Sequence, residues 1–263
     1  MKNRKVLITG GNGFIGSYLS DKLSQNNFNV VVVDKFDELF REPIKSIKQI
    51  RCEIDDFDKY SKELKQTDIL FHLAATFSPS TSKEKYKSEI ISNLFSSIDL
   101  FERAAKSGVR KIVLFSSGGA VYGNHKISKI GEEAQTNPIS TYGINKLIIE
   151  KYLKFFAKKY QFDFLIVRPS NPYGPRQNFD GKQGVISIFL KKIINGEKIS
   201  IFGSGNDKKD YIYIDDLISL LFILINNNCK GTYNLGSGLG YSINDFLEIF
   251  KSTLNLNFKI NFC

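Results

Sequence analysis

The run Lys5-Val-Leu-Ile-Thr-Gly-Gly-Asn-Gly-Phe-Ile-Gly16 decides the fold of this chain. Lys5–Thr9 is the short apolar run that fills a parallel strand buried on both faces. It breaks at Gly10-Gly11-Asn12-Gly13, and an amphipathic stretch, Phe14–Leu23, follows. Strand, glycine turn and helix in that order form a loop suited to phosphates. Gly10 or Gly11 permits the sharp turn, Gly13 lets the backbone approach a pyrophosphate, and Gly16 lets the helix lie against the strands. Free N–H groups and the positive end of the helix dipole then face the phosphates.

A second apolar strand, Asn29–Val33, ends in Asp34, eighteen residues past Gly16. A carboxylate there is placed to accept hydrogen bonds from the adenosine ribose hydroxyls of a dinucleotide. Asp34 would repel a 2′-phosphate and no Arg follows it directly, so the expected cofactor is NAD rather than NADP.

The chain has 263 residues, 42% of them hydrophobic, which is enough for a substantial core. No segment approaches the roughly 18–20 apolar residues of a membrane span, and the apolar run behind the basic first residues is too short for a signal peptide. Cys52, Cys229 and Cys263 lack metal-ligand spacing and are odd in number, so a reduced, cytoplasmic protein without a metal site is expected. The net charge of +10, from 37 basic and 27 acidic residues, is spread without a dense block. That pattern favours a solvated basic surface and small anionic substrates over nucleic acid.

Further strands are expected at Ile47–Arg51, Ile69–Leu73, Lys111–Ser116 and Phe164–Arg168, with helices over Asp56–Gln66, Ser88–Ser107 and Ile139–Tyr160. This alternation predicts an α/β fold, a Rossmann-type doubly wound parallel sheet, over residues 1–170. Residues 171–263 read as a smaller substrate-binding part. It has a proline- and glycine-rich loop, helices over Val185–Asn195 and from Asp215, and a late strand, Thr232–Leu235, expected to return to the sheet. This part should cover the carboxyl ends of the strands, where ligands bind in such sheets.

Tyr142 and Lys146 are four apart at the start of the long helix between the fifth and sixth strands, so they share a face. An ammonium beside a phenol favours the phenolate, and such a tyrosine can take a proton from a sugar hydroxyl as hydride leaves the same carbon. Spacing alone does not select this pair, since Tyr18/Lys22 and Tyr122/Lys126 share it. Its place in the chain does.

Six segments then occur in order: Thr9–Gly16, Phe71-His-Leu-Ala-Ala75, Ser116-Ser-Gly-Gly-Ala-Val-Tyr-Gly123, Tyr142-x-x-x-Lys146, Arg168-Pro-Ser-Asn-Pro-Tyr-Gly-Pro175 and Lys209-Asp-Tyr-Ile-Tyr-Ile-Asp-Asp216, closed by Asn234-Leu-Gly-Ser-Gly238. Through them nearly the whole chain resembles the extended short-chain dehydrogenases/reductases of the NAD-dependent epimerase/dehydratase family, and within it the UDP-sugar 4-epimerases. The resemblance implies that Gly10, Gly13, Phe14, Ile15, Gly16, Asp34, Glu53, Ile54, Ala74 and Ala75 surround NAD, with Tyr142 and Lys146. It implies that Tyr142, Lys146 and Ser117 carry the chemistry, and that Ser117, Gly118, Tyr142, Asn171 and Lys209 meet a nucleotide-sugar substrate. It also implies a homodimer built on the helices over Ser88–Ser107 and Ile139–Tyr160.

Gly118 stands where the family usually has a catalytic Ser or Thr, so Ser117 is the substitute hydroxyl. Gly118-Gly119-Ala120 lacks the acids of the dehydratases, which argues against 4,6-dehydration. Lys209 replaces the usual diphosphate-binding Arg and loses its bidentate fork. Family members usually continue for some tens of residues past Phe250. The expected activity is C4 epimerisation of a nucleotide sugar. The alternatives are an NAD(P)-dependent reductase or dehydratase of surface-polysaccharide sugar synthesis, and an inactive NAD-binding relative.

Overall fold

In the computed structural model, which describes residues 4–37, 40–75, 90–124, 129–179, 184–255 and 258–263, strand β1 (Lys5–Thr9) lies in the interior of a parallel sheet. Around it are β2 (Asn29–Asp34), β3 (Ile47–Arg51), β4 (Ile69–His72), β5 (Lys111–Phe115), β6 (Asp163–Pro169) and β10 (Gly231–Leu235). The order is β10-β6-β5-β4-β1-β2-β3, every pairing parallel. The order reverses at β1 and β4, so a crevice opens beyond their carboxyl ends, as the doubly wound expectation required.

Strand alternation divides the core between the two faces. Val6, Ile8, Val30, Val32, Val113 and Phe115 pack beneath helices α1 (Phe14–Gln25) and α7 (Ile214–Asn226). Leu7, Ile112 and Leu114 face α3 (Ser96–Lys106) and α5 (Thr141–Tyr160), which contribute Leu100, Phe101, Ile149 and Leu153. A slip of one residue in any strand would exchange the two faces, so the register is strongly fixed.

Several elements differ from expectation. The helix expected over Asp56–Gln66 is a 3₁₀ turn, Phe57–Lys59, followed by a short helix, α2 (Ser61–Leu64). The break is at Tyr60, fully buried, whose hydroxyl donates to the Ile54 carbonyl. Of the helix expected over Ser88–Ser107, the start lies outside the described residues; Ile90–Phe95 winds as a π-helix and α3 follows. Ser97 donates back to the Asn93 carbonyl, the side-chain competition that disturbs helical winding. Helix α5 starts at Thr141 rather than Ile139, because Ser140 caps it by accepting from Gly143 N–H at 3.1 Å.

Past β6 the expected loop contains a strand, β7 (Asn171–Tyr173), which joins β9 (Lys209–Tyr213) and β11 (Gly240–Tyr241) in a small sheet. Beside it, α6 (Val185–Ile194), β8 (Ile199–Ile201) and α8 (Ile243–Leu254) enclose a third apolar cluster around Phe189, Leu247 and Phe250. A last strand, β12 (Ile260–Phe262), pairs with β8. A short helix, α4 (Gly118–Val121), follows β5. Asp21 on α1 holds both Arg41, at 2.6 Å, and Arg176, at 2.8 Å, and so ties the loop after β7 to the helix behind the glycine turn. Among the described residues, no helix is long and apolar enough to cross a membrane.

His72, 2% exposed, joins β4 to its neighbours. Ser97 Oγ spends its proton on Asn93, so at 2.9 Å it accepts from His72 Nε2–H. Nδ1 then accepts from Thr9 Oγ–H at 2.8 Å. Burial, with Lys146 as a smaller cause, pulls the His72 pKa from 6.5 to about 3. A depressed histidine pKa means that the unfolded chain binds more protons between those values, so stability falls as pH drops below about 6.5. Between pH 7 and pH 4 the parent should lose roughly 3 kcal/mol more stability than a His72→Gln variant. Urea unfolding of both proteins across that range measures this difference.

Candidate active site

The glycine turn sits at the switch point and is fixed by contacts a side chain could not share. Gly10 has φ +75°, and a Cβ on it would lie 2.7 Å from the Ala74 amide nitrogen. A Cβ on Gly16 would lie 2.2 Å from the Gly10 carbonyl oxygen. Gly13 differs: its φ of −76° is ordinary, and an added Cβ would meet only that same carbonyl oxygen, at 3.4 Å. Its bare face lines a cleft of about 1020 Å³. Gly13, Phe14, Ile15 and Gly16 bring the N-terminus of α1 to that cleft, with Ala75 opposite. Ala74 packs against Gly10.

Asp34 ends β2 and accepts from the Asn12 amide at 3.0 Å and the Phe36 amide at 3.1 Å, which fixes its carboxylate beside the turn. Asn12 Oδ1 is buried there without a hydrogen-bond partner. Glu53 and Ile54 follow β3 next to this corner; the Cys52 amide donates to the Asp34 carbonyl at 2.9 Å and Glu53 pairs with Lys35 at 3.5 Å. Asp34, Glu53 and Ile54 therefore group at the end of β2, outside the lining of the main cleft. An oriented acid, an unpaired acceptor and a glycine cradle at a helix N-terminus fit an adenosine diphosphate group.

Tyr142 and Lys146 enter the cleft from the first turns of α5, beside Ser117. Gly143 makes this possible, because a Cβ there would lie 2.4 Å from the Ala120 carbonyl oxygen. The helix can thus approach the segment after β5, and Ser117 hydrogen-bonds the Tyr142 phenol. Lys146, 7% exposed, donates from Nζ to the Phe115 carbonyl at 2.8 Å and lies 5.8 Å from the centre of the Tyr142 ring. Burial pushes the Tyr142 pKa up to about 12, against the Ser117 hydrogen bond, and pulls that of Lys146 down to about 8, against the Glu150 charge. The expected lowering of the Tyr142 pKa by Lys146 is therefore not what this arrangement gives. Desolvation wins, because the ammonium is turned to a carbonyl rather than to the phenol.

Gly118 does not line the cleft. A Cβ on it would lie 3.0 Å from the Arg168 carbonyl oxygen and 3.1 Å from that of Pro169, so a hydroxyl there would be aimed at β6. Ser117 is the hydroxyl beside the tyrosine. Asn171 lines the cleft and donates from Nδ2 to the Asp210 carbonyl at 2.7 Å, joining β7 to β9. Lys209 stands exposed at the rim. The Asp210 carboxylate pins the late glycine loop, accepting from the amides of Ser237 at 2.9 Å and Gly238 at 2.7 Å.

The sequence reading passed over Gly143, Ser170 and Lys192. Gly143 was legible only as the residue after the tyrosine. Ser170 Oγ is buried in the cleft wall without a hydrogen-bond partner. Lys192 reaches the cleft from α6, and nothing in the linear sequence separates it from the other scattered lysines.

A doubly wound sheet with a glycine turn at its switch point, and a Ser–Tyr–Lys group across the same cleft, defines a dinucleotide-dependent enzyme of the short-chain dehydrogenase/reductase type. The chain belongs to the NAD-dependent epimerase/dehydratase family, which residues 6–236 match. It is 35% identical to a putative UDP-glucose 4-epimerase of Methanocaldococcus jannaschii, over 94% of this chain and 81% of that one. It is 34% identical to a dTDP-4-dehydro-6-deoxyglucose reductase of Escherichia coli, over 98% and 84%. The UDP-glucose 4-epimerase of Thermotoga maritima, solved with UDP-glucose, superposes with a TM-score of 0.91 at 33% identity, over 98% of this chain and 85% of that one. That of Thermus thermophilus, solved with NAD, gives 0.89 at 28% identity, over 98% and 85%. NAD is the cofactor of this family, and the glycine turn and Asp34 corner suit it.

The two glycines separate by experiment. Gly13→Ala should keep stability within about 1 kcal/mol of the parent while weakening NAD binding by about tenfold or more. Gly16→Ala should cost about 3 kcal/mol or more through its overlap with Gly10. Thermal unfolding and NAD titration of the two variants check both outcomes.

Proposed function

We propose that this protein is a nucleotide-sugar 4-epimerase, acting on UDP-glucose and UDP-galactose or on their N-acetylhexosamine counterparts. The observation that carries the reading is the grouping of Ser117, Tyr142 and Lys146 in one cleft with the glycine turn, with no carboxylate among Gly118, Gly119 and Ala120. NAD, when bound, supplies a hydride acceptor and donor at C4 of the sugar.

The chain's own groups manage the proton. With its pKa at about 12, the Tyr142 phenol keeps its proton at neutral pH, ready to donate to a 4-keto oxygen. To take the 4-hydroxyl proton it needs positive charge close by, and Lys146 is the cation within 5.8 Å of its ring. Ser117 holds the phenol in place and offers a second hydroxyl to the sugar oxygen. Lys146 also suits the nicotinamide ribose hydroxyls. Glu53, Ile54, Ala74 and Ala75 would flank the cofactor. Asn171, Lys209 and Lys192 line the same cleft, where a diphosphate would find two cations in place of one guanidinium fork.

A reductase is the second reading, favoured by the near-equal identity to the Escherichia coli enzyme. Proton NMR of the UDP-sugars, incubated with the purified protein and NAD, separates the two: interconversion at C4 without net nicotinamide consumption supports the epimerase. Consumption of stoichiometric reduced nicotinamide when a 4-keto nucleotide sugar and NADH or NADPH are supplied, with no interconversion of the UDP-sugars, would overturn it. Tyr142→Phe should lower turnover about a hundredfold while NAD still binds.

The same reading includes a homodimer. Ile144, Tyr152 and Phe155 on α5 are exposed, Phe155 by 58%, and Phe95 just before α3 is 56% exposed. Two such helix pairs would cover one another as a four-helix contact. Phe155→Glu should shift the particle from dimer to monomer in sedimentation, leaving its thermal unfolding cooperative. A parent that sediments as a monomer would remove this part of the proposal.

A further inference from the structure

One helical turn beyond Lys146, behind the cleft, α5 buries a full charge. Glu150 is 1% exposed and its carboxylate takes Arg168 in a fork, Nε to Oε1 at 3.0 Å and Nη2 to Oε2 at 2.6 Å. Arg168 is itself 4% exposed. Ser116, next to the hydroxyl that holds Tyr142, donates to Glu150 Oε1 at 2.5 Å. Arg168 Nη1 donates to the Tyr122 hydroxyl at 2.8 Å, and Tyr122 donates to Asn234 Oδ1 at 2.8 Å. Both oxygens of the carboxylate are thus paired, and Ser116 after β5 and Arg168 on β6 fix its orientation.

Stability alone does not require this pair. The desolvation of two buried charges offsets most of their attraction, and apolar residues of similar volume often replace such pairs without loss. Its position suggests another use. Lys146 and Glu150 are four apart on one face of α5. The groups around the ammonium are the Phe115 carbonyl from β5, Tyr142 on its own helix, His72 from β4 and, beyond Glu150, Arg168 from β6 and Tyr122. His72 is neutral, the Tyr142 phenol keeps its proton, and the Arg168 charge is committed to the fork. Glu150 is the carboxylate that acts on Lys146.

We propose that Glu150, locked by Arg168 and Ser116, is a positioning residue that keeps Lys146 charged in its dry site, so that Lys146 can hold the dinucleotide ribose and support Tyr142. This rests on reading Tyr142 and Lys146 as the acid–base pair. Burial already brings the Lys146 pKa down to about 8 with the carboxylate present. Without it, desolvation would act on the lysine unopposed and lower its pKa further.

The test is the pH dependence of NAD binding and of turnover in Glu150→Gln, which keeps the shape of the side chain and removes its charge. The alkaline limb of both profiles should move down by about one to two pH units, with NAD affinity at pH 6 close to that of the parent. Because the uncharged amide would leave the Arg168 guanidinium without its counter-charge, Glu150→Gln combined with Arg168→Met is the companion. It should recover thermal stability yet keep the displaced limb. A purely structural role predicts that limb and stability recover together in the double variant, and that result would overturn the proposal, as would an unmoved limb in either folded variant. NAD binding is read without turnover. If Tyr142→Phe proved fully active, the acid–base reading would fall while the binding profile still judged Glu150.

Discussion

The whole arrangement depends on a backbone contact: α1 crosses β1 so closely that a methyl group on Gly16 would fall 2.2 Å from the Gly10 carbonyl oxygen. That approach lets the first helix lie flat on the sheet and points its N-terminal amides into the cleft. Gly10 meets Ala74 in the same way on the other side. The turn is therefore clamped between β1 and β4, at the place where the strand order reverses. Side-chain chemistry across the cleft is built against this fixed edge.

Burial is the second governing influence, and it acts on the chemistry directly. Water exclusion raises the Tyr142 pKa, lowers that of Lys146 and keeps His72 neutral. Each shift disfavours the charged form, as expected when low dielectric outweighs partners. The sheet that supports the site thus also sets its protonation. Lys146 sits between two opposing demands, and its carbonyl partner and the carboxylate one turn away decide the balance.

Much of the fold could be read from the chain because β1, β2, β4, β5 and β6 are continuous apolar runs buried on both faces. The Rossmann sheet follows from them and from the glycine turn. The later strands were harder: Asn171–Tyr173 and Lys209–Tyr213 are short, half-exposed and contain proline or charge, so they carry no strand pattern of their own. The segment around Tyr60 reads as a helix because its apolar residues recur at helical spacing, yet an aromatic hydroxyl that must reach a carbonyl breaks the winding. At the site, Tyr142, Lys146 and Ser117 were legible through the order of the motifs. The direction of the Tyr142 shift was not, since it depends on where an ammonium points and not on its distance along a helix. Gly143 shows the same limit, as only the folded chain reveals the carbonyl that excludes a side chain.

The edge strand β10 has a consequence for synthesis. Its partner β6 ends at Pro169, whereas β10 begins at Gly231, so 61 residues separate them (231 − 169 − 1). At a translation rate of roughly 5–20 residues per second, β6 emerges several seconds before the strand that covers it. During that interval its outer edge presents unpaired amides and carbonyls, the kind of template on which nascent chains associate. The order of the strands in space, fixed by where ligands must bind, thus also sets a time window in which a nascent chain depends on low concentration or chaperone cover.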